Sequence, residues 1–136
     1  MKIRWAVATI SAALVASAAP AFAHHSFAVQ YDANKPVQVK GVVTKVEWTN
    51  PHARFYVDVK DEKGAVRNWN FEMASPNVLI RNGWKPNSMK PGDEITVKGF
   101  EQRIPSTSGP IMAIAEGVTG SDGKQFFASA QQDLAR

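Results

Sequence analysis

After Val37 most of the chain alternates apolar and polar residues with a period of two, which predicts β-strands. In "VQVKGVVTKVEW" the apolar positions fall first at Val37 and Val39, then at Val42, Val46 and Trp48. The phase changes at Gly41. A strand keeps its phase unless a residue is inserted, so a long first strand with a bulge or sharp coil at Gly41 is expected. "TNP" ends that strand. "ARFYVDV" then sets Phe55, Val57 and Val59 on one face and Arg54, Tyr56 and Asp58 on the other. After the turn "DEKG", "VRNWNFEM" directs Trp69, Phe71 and Met73 inward and Asn68, Asn70 and Glu72 outward. Both segments read as antiparallel strands with one buried face.

"SPNVLIRNGW" breaks the alternation. Ser75 suits a helix N-cap, Pro76 the first helical position and Asn82-Gly83 the exit, so one short helix is predicted between them. A turn at Pro91-Gly92-Asp93 leads to a fourth strand with Ile95 and Val97 on one face. "RIPSTSG" is a loop, "PIMAIAEGVT" a fifth strand, and "GSDGKQFFA" a short terminal hairpin or extension. Three strands, a helix and two strands, with a coiled first strand, make a mainly β protein. The expected fold is a five-stranded OB-like barrel with one short helix between strands 3 and 4. The alternative is a β-sandwich with the helix capping one open end.

The start of the chain follows a different pattern. Lys2 and Arg4 precede an apolar run from Trp5 to about Ala19, and Ala21 and Ala23 stand just before His24. A basic start, a short apolar run and an Ala-x-Ala end describe a secretory signal peptide over residues 1–23. A single membrane anchor is the alternative, but the run falls short of the ~20 apolar residues that spanning needs. Residues 24–36 read as a polar N-terminal arm, 37–128 as the barrel domain and 129–136 as a disordered tail.

Removing 23 of 136 residues leaves 113, enough for one small domain with a core. The leader holds two basic residues and no acidic ones, so the formal charge falls from +4 to +2. That small, interspersed charge gives no support for a nucleic-acid partner. No later apolar run is long enough for a membrane helix, so no membrane insertion is expected after cleavage. The chain has no cysteine, so an exported form stands on its core without disulfides, and thiolate chemistry is excluded. The short alanine-rich leader points to a bacterial exporter and a periplasmic or secreted location.

The chemistry lies in three histidines. His24 and His25 stand together at the expected cleavage point, and His52 lies in "WTNPHARF" between the first two strands. Cleavage before His24 creates a free amino group beside an imidazole, and these two nitrogens can chelate one ion. Imidazole suits Cu(II), Zn(II) and Ni(II), and His52 would complete a three-nitrogen set, with copper favoured. Asn50 is the expected orienting partner of the loop histidine. Retention of Ala23 would instead make Ala-His-His, whose third-position histidine favours a local square-planar Cu(II) or Ni(II) site. In the bland reading the paired histidines are solvated and His52 caps a turn.

Other constellations are poor. The serines lack patterned His and Asp partners, and there is no phosphate-cradling glycine loop, so an enzyme is not expected. Trp69 lies in the inward register, whereas Trp48 and Trp84 are candidates for a ligand pocket. A second functional reading is therefore a non-metal interaction module. It would hold a peptide, glycan or small ligand on the barrel face near Trp48, Arg54 and Tyr56.

The segments "HHSFAVQYDANKPVQVKGVVTKVEWTNPHARFYVDVKD" and "NWNFEMASPNVLIRNGWKPNSMKPGDEITVKG" resemble the domain-of-unknown-function family numbered 6152. The likeness runs from about His24 to Phe127. It is poorest over "EQRIPSTSGPIMAIAEGVTGSD", where only Val118-Thr119 and Asp122-Gly123 match. The resemblance implies export and an OB-like barrel, and no established activity. It places His24, His25, Asn50 and His52 in the family's most distinctive motifs.

Overall fold

A computed structural model describes residues 27–128. The elements run α1 (Phe27–Gln30), β1 (Tyr31–Glu47), β2 (Arg54–Lys60), β3 (Val66–Glu72), α2 (Pro76–Arg81), β4 (Glu94–Gln102), β5 (Ile111–Gly120) and β6 (Gln125–Phe127). The sheet order is β3-β2-β1-β4-β5-β6, and a parallel β3–β5 pairing closes the first five strands into a barrel. The other pairings are antiparallel. The predicted mainly β, OB-like barrel is therefore observed, with its helix α2 between β3 and β4. Closure excludes the sandwich. The leader, His24 to Ser26 and the tail from Ser129 lie outside the described residues.

β1 is the strand that makes closure possible. Val37 to Val42 pair with β4, and Val42 to Glu47 pair with β2, so one strand serves both halves of the barrel. The change of phase comes later than expected. Val37, Val39 and Val43 all face the core, and the register shifts between Val43 and Lys45 before Val46 and Trp48 turn inward. Val43 is 1% exposed and Val42 44%, so the inward valine is Val43. Gly41 has a different role: a Cβ there would lie 2.3 Å from the Asp58 carbonyl oxygen of β2. It permits close approach where β1 passes from one partner strand to the other.

The interior is filled by stacked aromatics and small residues. Phe55 stacks on Phe71 at 5.3 Å, and Trp69 on Phe71 at 5.6 Å. Val57, Ile95, Val97, Ala113, Ala115 and Val118 complete the wall. α2 closes one end through fully buried Leu79. It starts as expected, with Pro76 in its first turn and the Ser75 hydroxyl accepting from the Val78 amide at 3.5 Å. Gly83 (φ 89°) turns the chain out of the helix, and Trp84 then packs against Phe126 at 4.7 Å.

A second, smaller cluster lies outside the barrel. Glu72 of β3 pairs with Ile114 of β5, and Ile114 with Phe100 of β4, so these side chains form a row on the outer face. Tyr31 and Ile114 are buried yet belong to no part of the interior cluster. Phe27 packs on Tyr31 at 5.9 Å and edge-on against Phe100 at 5.4 Å. Hence α1 and the start of β1 lie across the outside of β3, β5 and β4. β1 begins at Tyr31, inside the stretch read as an arm.

The barrel leaves no room at Gly99, where an added Cβ would meet the Ile114 carbonyl oxygen at 1.9 Å. Gly99→Ala is expected to cost about 3 kcal/mol or more, since backbone cannot yield as a side chain can. Exposed Val42→Thr should stay within about 0.5 kcal/mol. Thermal or urea unfolding of both variants checks this, and a Gly99→Ala protein of unchanged stability would contradict the packing.

Candidate functional site

His52 is positioned by the hairpin that follows it. Asn50 and Pro51 are joined by a cis peptide in the β1–β2 connection. The Ala53 amide donates to the Ala74 carbonyl at 3.1 Å, and the Met73 amide donates to the Ala53 carbonyl at 2.9 Å. These bonds pin the backbone on the C-terminal side of His52. His52 and Arg54 are two residues apart, and their side chains leave on the same outer face. Arg54 pairs directly with Glu72, which puts the Glu72 carboxylate within reach of both.

Glu72 is the centre of the arrangement. His52 Nδ1 donates to Glu72 Oε1 at 2.8 Å. Arg54 Nη2 and the Tyr31 hydroxyl both donate to Oε2, the latter at 2.9 Å across 41 residues of sequence. Arg54 Nη1 also reaches Asn70 Oδ1 at 3.3 Å. A carboxylate so deeply buried would cost several kcal/mol if left unpaired, and three donors offset that cost. Burial, and then the neighbouring carboxylate, push the Tyr31 phenol well above its ordinary range, so it remains a proton donor.

The Glu72 contact decides what His52 can do. With Nδ1–H committed to a carboxylate, the other ring nitrogen, Nε2, is the one that carries a free lone pair whenever the imidazole is neutral. The imidazole is 43% exposed, against 7% for the Glu72 side chain. A buried carboxylate holding a half-exposed imidazole is the usual support of a metal-ligating histidine. Among the described residues, no three His, Asp or Glu side chains converge as a metal-binding group. The described part of the site thus offers one oriented nitrogen.

Glu72 and Asn70 keep the outward parity read from the sequence and are nonetheless buried. Both point away from the interior as the alternation requires, but they are only 5% and 6% exposed. Tyr31 reaches over Glu72 with its hydroxyl, and the Arg54 guanidinium lies against Asn70. Two sequence facts do point to Glu72. The four-residue turn "DEKG" sets a hairpin register, and that register carries Glu72 to Arg54, two residues from His52.

The other described candidates, Asn50, Trp48, Tyr56 and Trp84, have separate surroundings. His24 and His25 lie outside the described residues. Asn50 is exposed in the connection, and the side chain in contact with the His52 imidazole is that of Glu72. Trp48 is half-buried against the barrel core. Tyr56 donates to Glu47 Oε2 at 3.3 Å beneath the Lys45 ammonium, 5.3 Å from its ring centre. Lys45 and Glu47 pair at 2.5 Å, which holds the Glu47 carboxyl below and the Lys45 ammonium above their ordinary values. Trp84 lines a cleft of about 350 Å³ with Met89, Ile95, Val118 and Phe126, and none of the Glu72 partners borders it. Neither Trp48 nor Tyr56 lines that cleft.

The chain has no match among curated proteins. A family model does match it, over residues 12–111, a span that includes β1 to β4, the His52 connection and Glu72. On that match the chain belongs to a family of unknown function, DUF6152.

Proposed function

We propose that this protein is a small exported binding protein, not an enzyme, that captures one transition-metal ion, with copper favoured. His52 Nε2 supplies one nitrogen. The imidazole and new amino group of His24, freed by removal of residues 1–23, supply two more, and His25 stands beside them. The reading rests on one observation above all: His52 Nδ1 is held at 2.8 Å by a carboxylate that is itself buried and three-fold bonded.

The path of the chain supports the same reading. Phe27 is seated on Phe100 and Tyr31, and Tyr31 reaches the carboxylate that holds His52. Three peptide links separate His24 from Phe27, so their Cα atoms are at most about 11 Å apart. The competing face near Arg54 and Tyr56 is less suited to a new ligand, because its polar groups already bond to Glu72, Asn70 and Glu47.

Titration with Cu(II), on protein whose first residue mass spectrometry shows to be His24, is expected to give one-to-one binding. His52→Ala should weaken it at least tenfold, roughly the range that supporting residues alone command. An extra residue before His24 should do the same. Binding indifferent to both changes would overturn the proposal and move the search to the Trp84 cleft.

The orienting role of Glu72 is read without metal. Nitrogen-15 NMR of the neutral imidazole should find His52 chiefly as the Nδ1–H tautomer, the reverse of the usual preference of a free histidine side chain. A dominant Nε2–H form would remove the basis of the assignment.

A further inference from the structure

Glu72 divides its two oxygens between different parts of the chain. Oε1 receives His52, from the connection between β1 and β2, and Oε2 receives Tyr31, from the first residue of β1. We propose that Tyr31 is a positioning residue: through Glu72 it couples the seating of the N-terminal segment to the orientation of the His52 imidazole. This deepens the metal-binding reading, on which its functional meaning rests, by naming how that site is regulated.

The Tyr31 hydroxyl reaches Oε2 while the segment before β1 is seated, and that seat has its own contacts. Phe27 meets the Phe100 ring edge-on. The Arg103 amide donates to the Gln30 carbonyl at 2.9 Å, and its guanidinium donates to the Tyr31 carbonyl at 3.4 Å. Lys35 Nζ returns to the Arg103 carbonyl at 3.4 Å. The loop after β4 therefore grips the segment on both sides of Tyr31. None of these contacts touches His52 directly, and the route between them is the carboxylate.

Lifting the segment takes one donor from Oε2 and opens a buried face to water. Arg54 then remains the sole partner of Oε2 among the three named donors, and the carboxylate is free to turn toward solvent. His52 loses the fixed acceptor for its Nδ1–H. Coupling of this kind is reciprocal: whatever favours the oriented imidazole also favours the seated segment by the same free energy. A metal ion bound to His52 and to the start of the chain would accordingly stabilise the seat, and an unseated segment would weaken the ion's hold from both ends.

The test uses the protein expressed from its full chain and kept metal-free with chelator. The readout is the ratio of Nδ1–H to Nε2–H tautomers at His52 by nitrogen-15 NMR. Tyr31→Phe retains the ring and its packing and removes only the hydroxyl. It is expected to lower the ratio at least about threefold, the worth of one ordinary hydrogen bond. Phe27→Ala loosens the seat without touching Glu72, lies outside the barrel core, and should lower the ratio in the same direction. An unchanged ratio in a folded Tyr31→Phe protein overturns the proposal. If that variant fails to fold, an unchanged ratio in Phe27→Ala overturns it instead. Because both readings are made without metal, a failure of the wild-type protein to bind copper would sink the metal reading and leave the coupling standing.

Discussion

One buried carboxylate ties together three separate parts of the chain on the outer face of the barrel. An ionised group at the depth of Glu72 persists only when its oxygens are bonded, and these bonds come from three places in the chain. Arg54 comes from the facing strand, His52 from the connection before it, and Tyr31 from the distant start of β1. The carboxylate is thus both a cost and a specification. It favours the one arrangement of arm, connection and sheet in which all three donors arrive together.

The barrel makes that arrangement possible through β1. A strand of 17 residues pairs with β4 along its first half and β2 along its second, so its beginning and end lie over different sectors of the wall. Its end leads into the His52 connection. Its beginning crosses the row formed by Glu72, Ile114 and Phe100. The outer face of β3 is consequently wet near Asn68 and dry at Glu72. A small protein without cysteines has covered part of its outer wall with its own chain.

Much of the fold was legible because alternation reports parity faithfully. Trp69, Phe71 and Met73 face inward, α2 begins with Ser75 and Pro76, and the element order implies a closed barrel. Parity does not report burial. Glu72 was assigned to the correct, outward face, but nothing local announces that a residue 41 positions earlier reaches over it. The phase change in β1 was misplaced for a related reason. Val42 and Val43 are adjacent and equally apolar, so only the pairing with both neighbours decides which one enters the core. His52 was recognised by residue type and position, whereas its carboxylate partner required the hairpin register. That register was available in the sequence, from "DEKG" outward, but it gains meaning only when the outer face is dry.

The proposed site also has a physical logic of tethering. A single imidazole binds metal weakly, so useful affinity depends on how often the remaining nitrogens are nearby. With Phe27 seated, His24 is confined within about 11 Å of it by three peptide links. Without the seat, the free tether would run back to the paired part of β1 near Pro36, and twelve flexible residues span roughly 20 Å. The volume open to the chain start would grow roughly fivefold or more, and its effective concentration at His52 would fall in proportion. In the proposed site the contacts that seat the segment would act twice, by orienting the His52 imidazole through Glu72 and by shortening the tether of the other proposed donors. A barrel with a single fixed imidazole can in this way hold a chelating site whose remaining donors belong to a short arm.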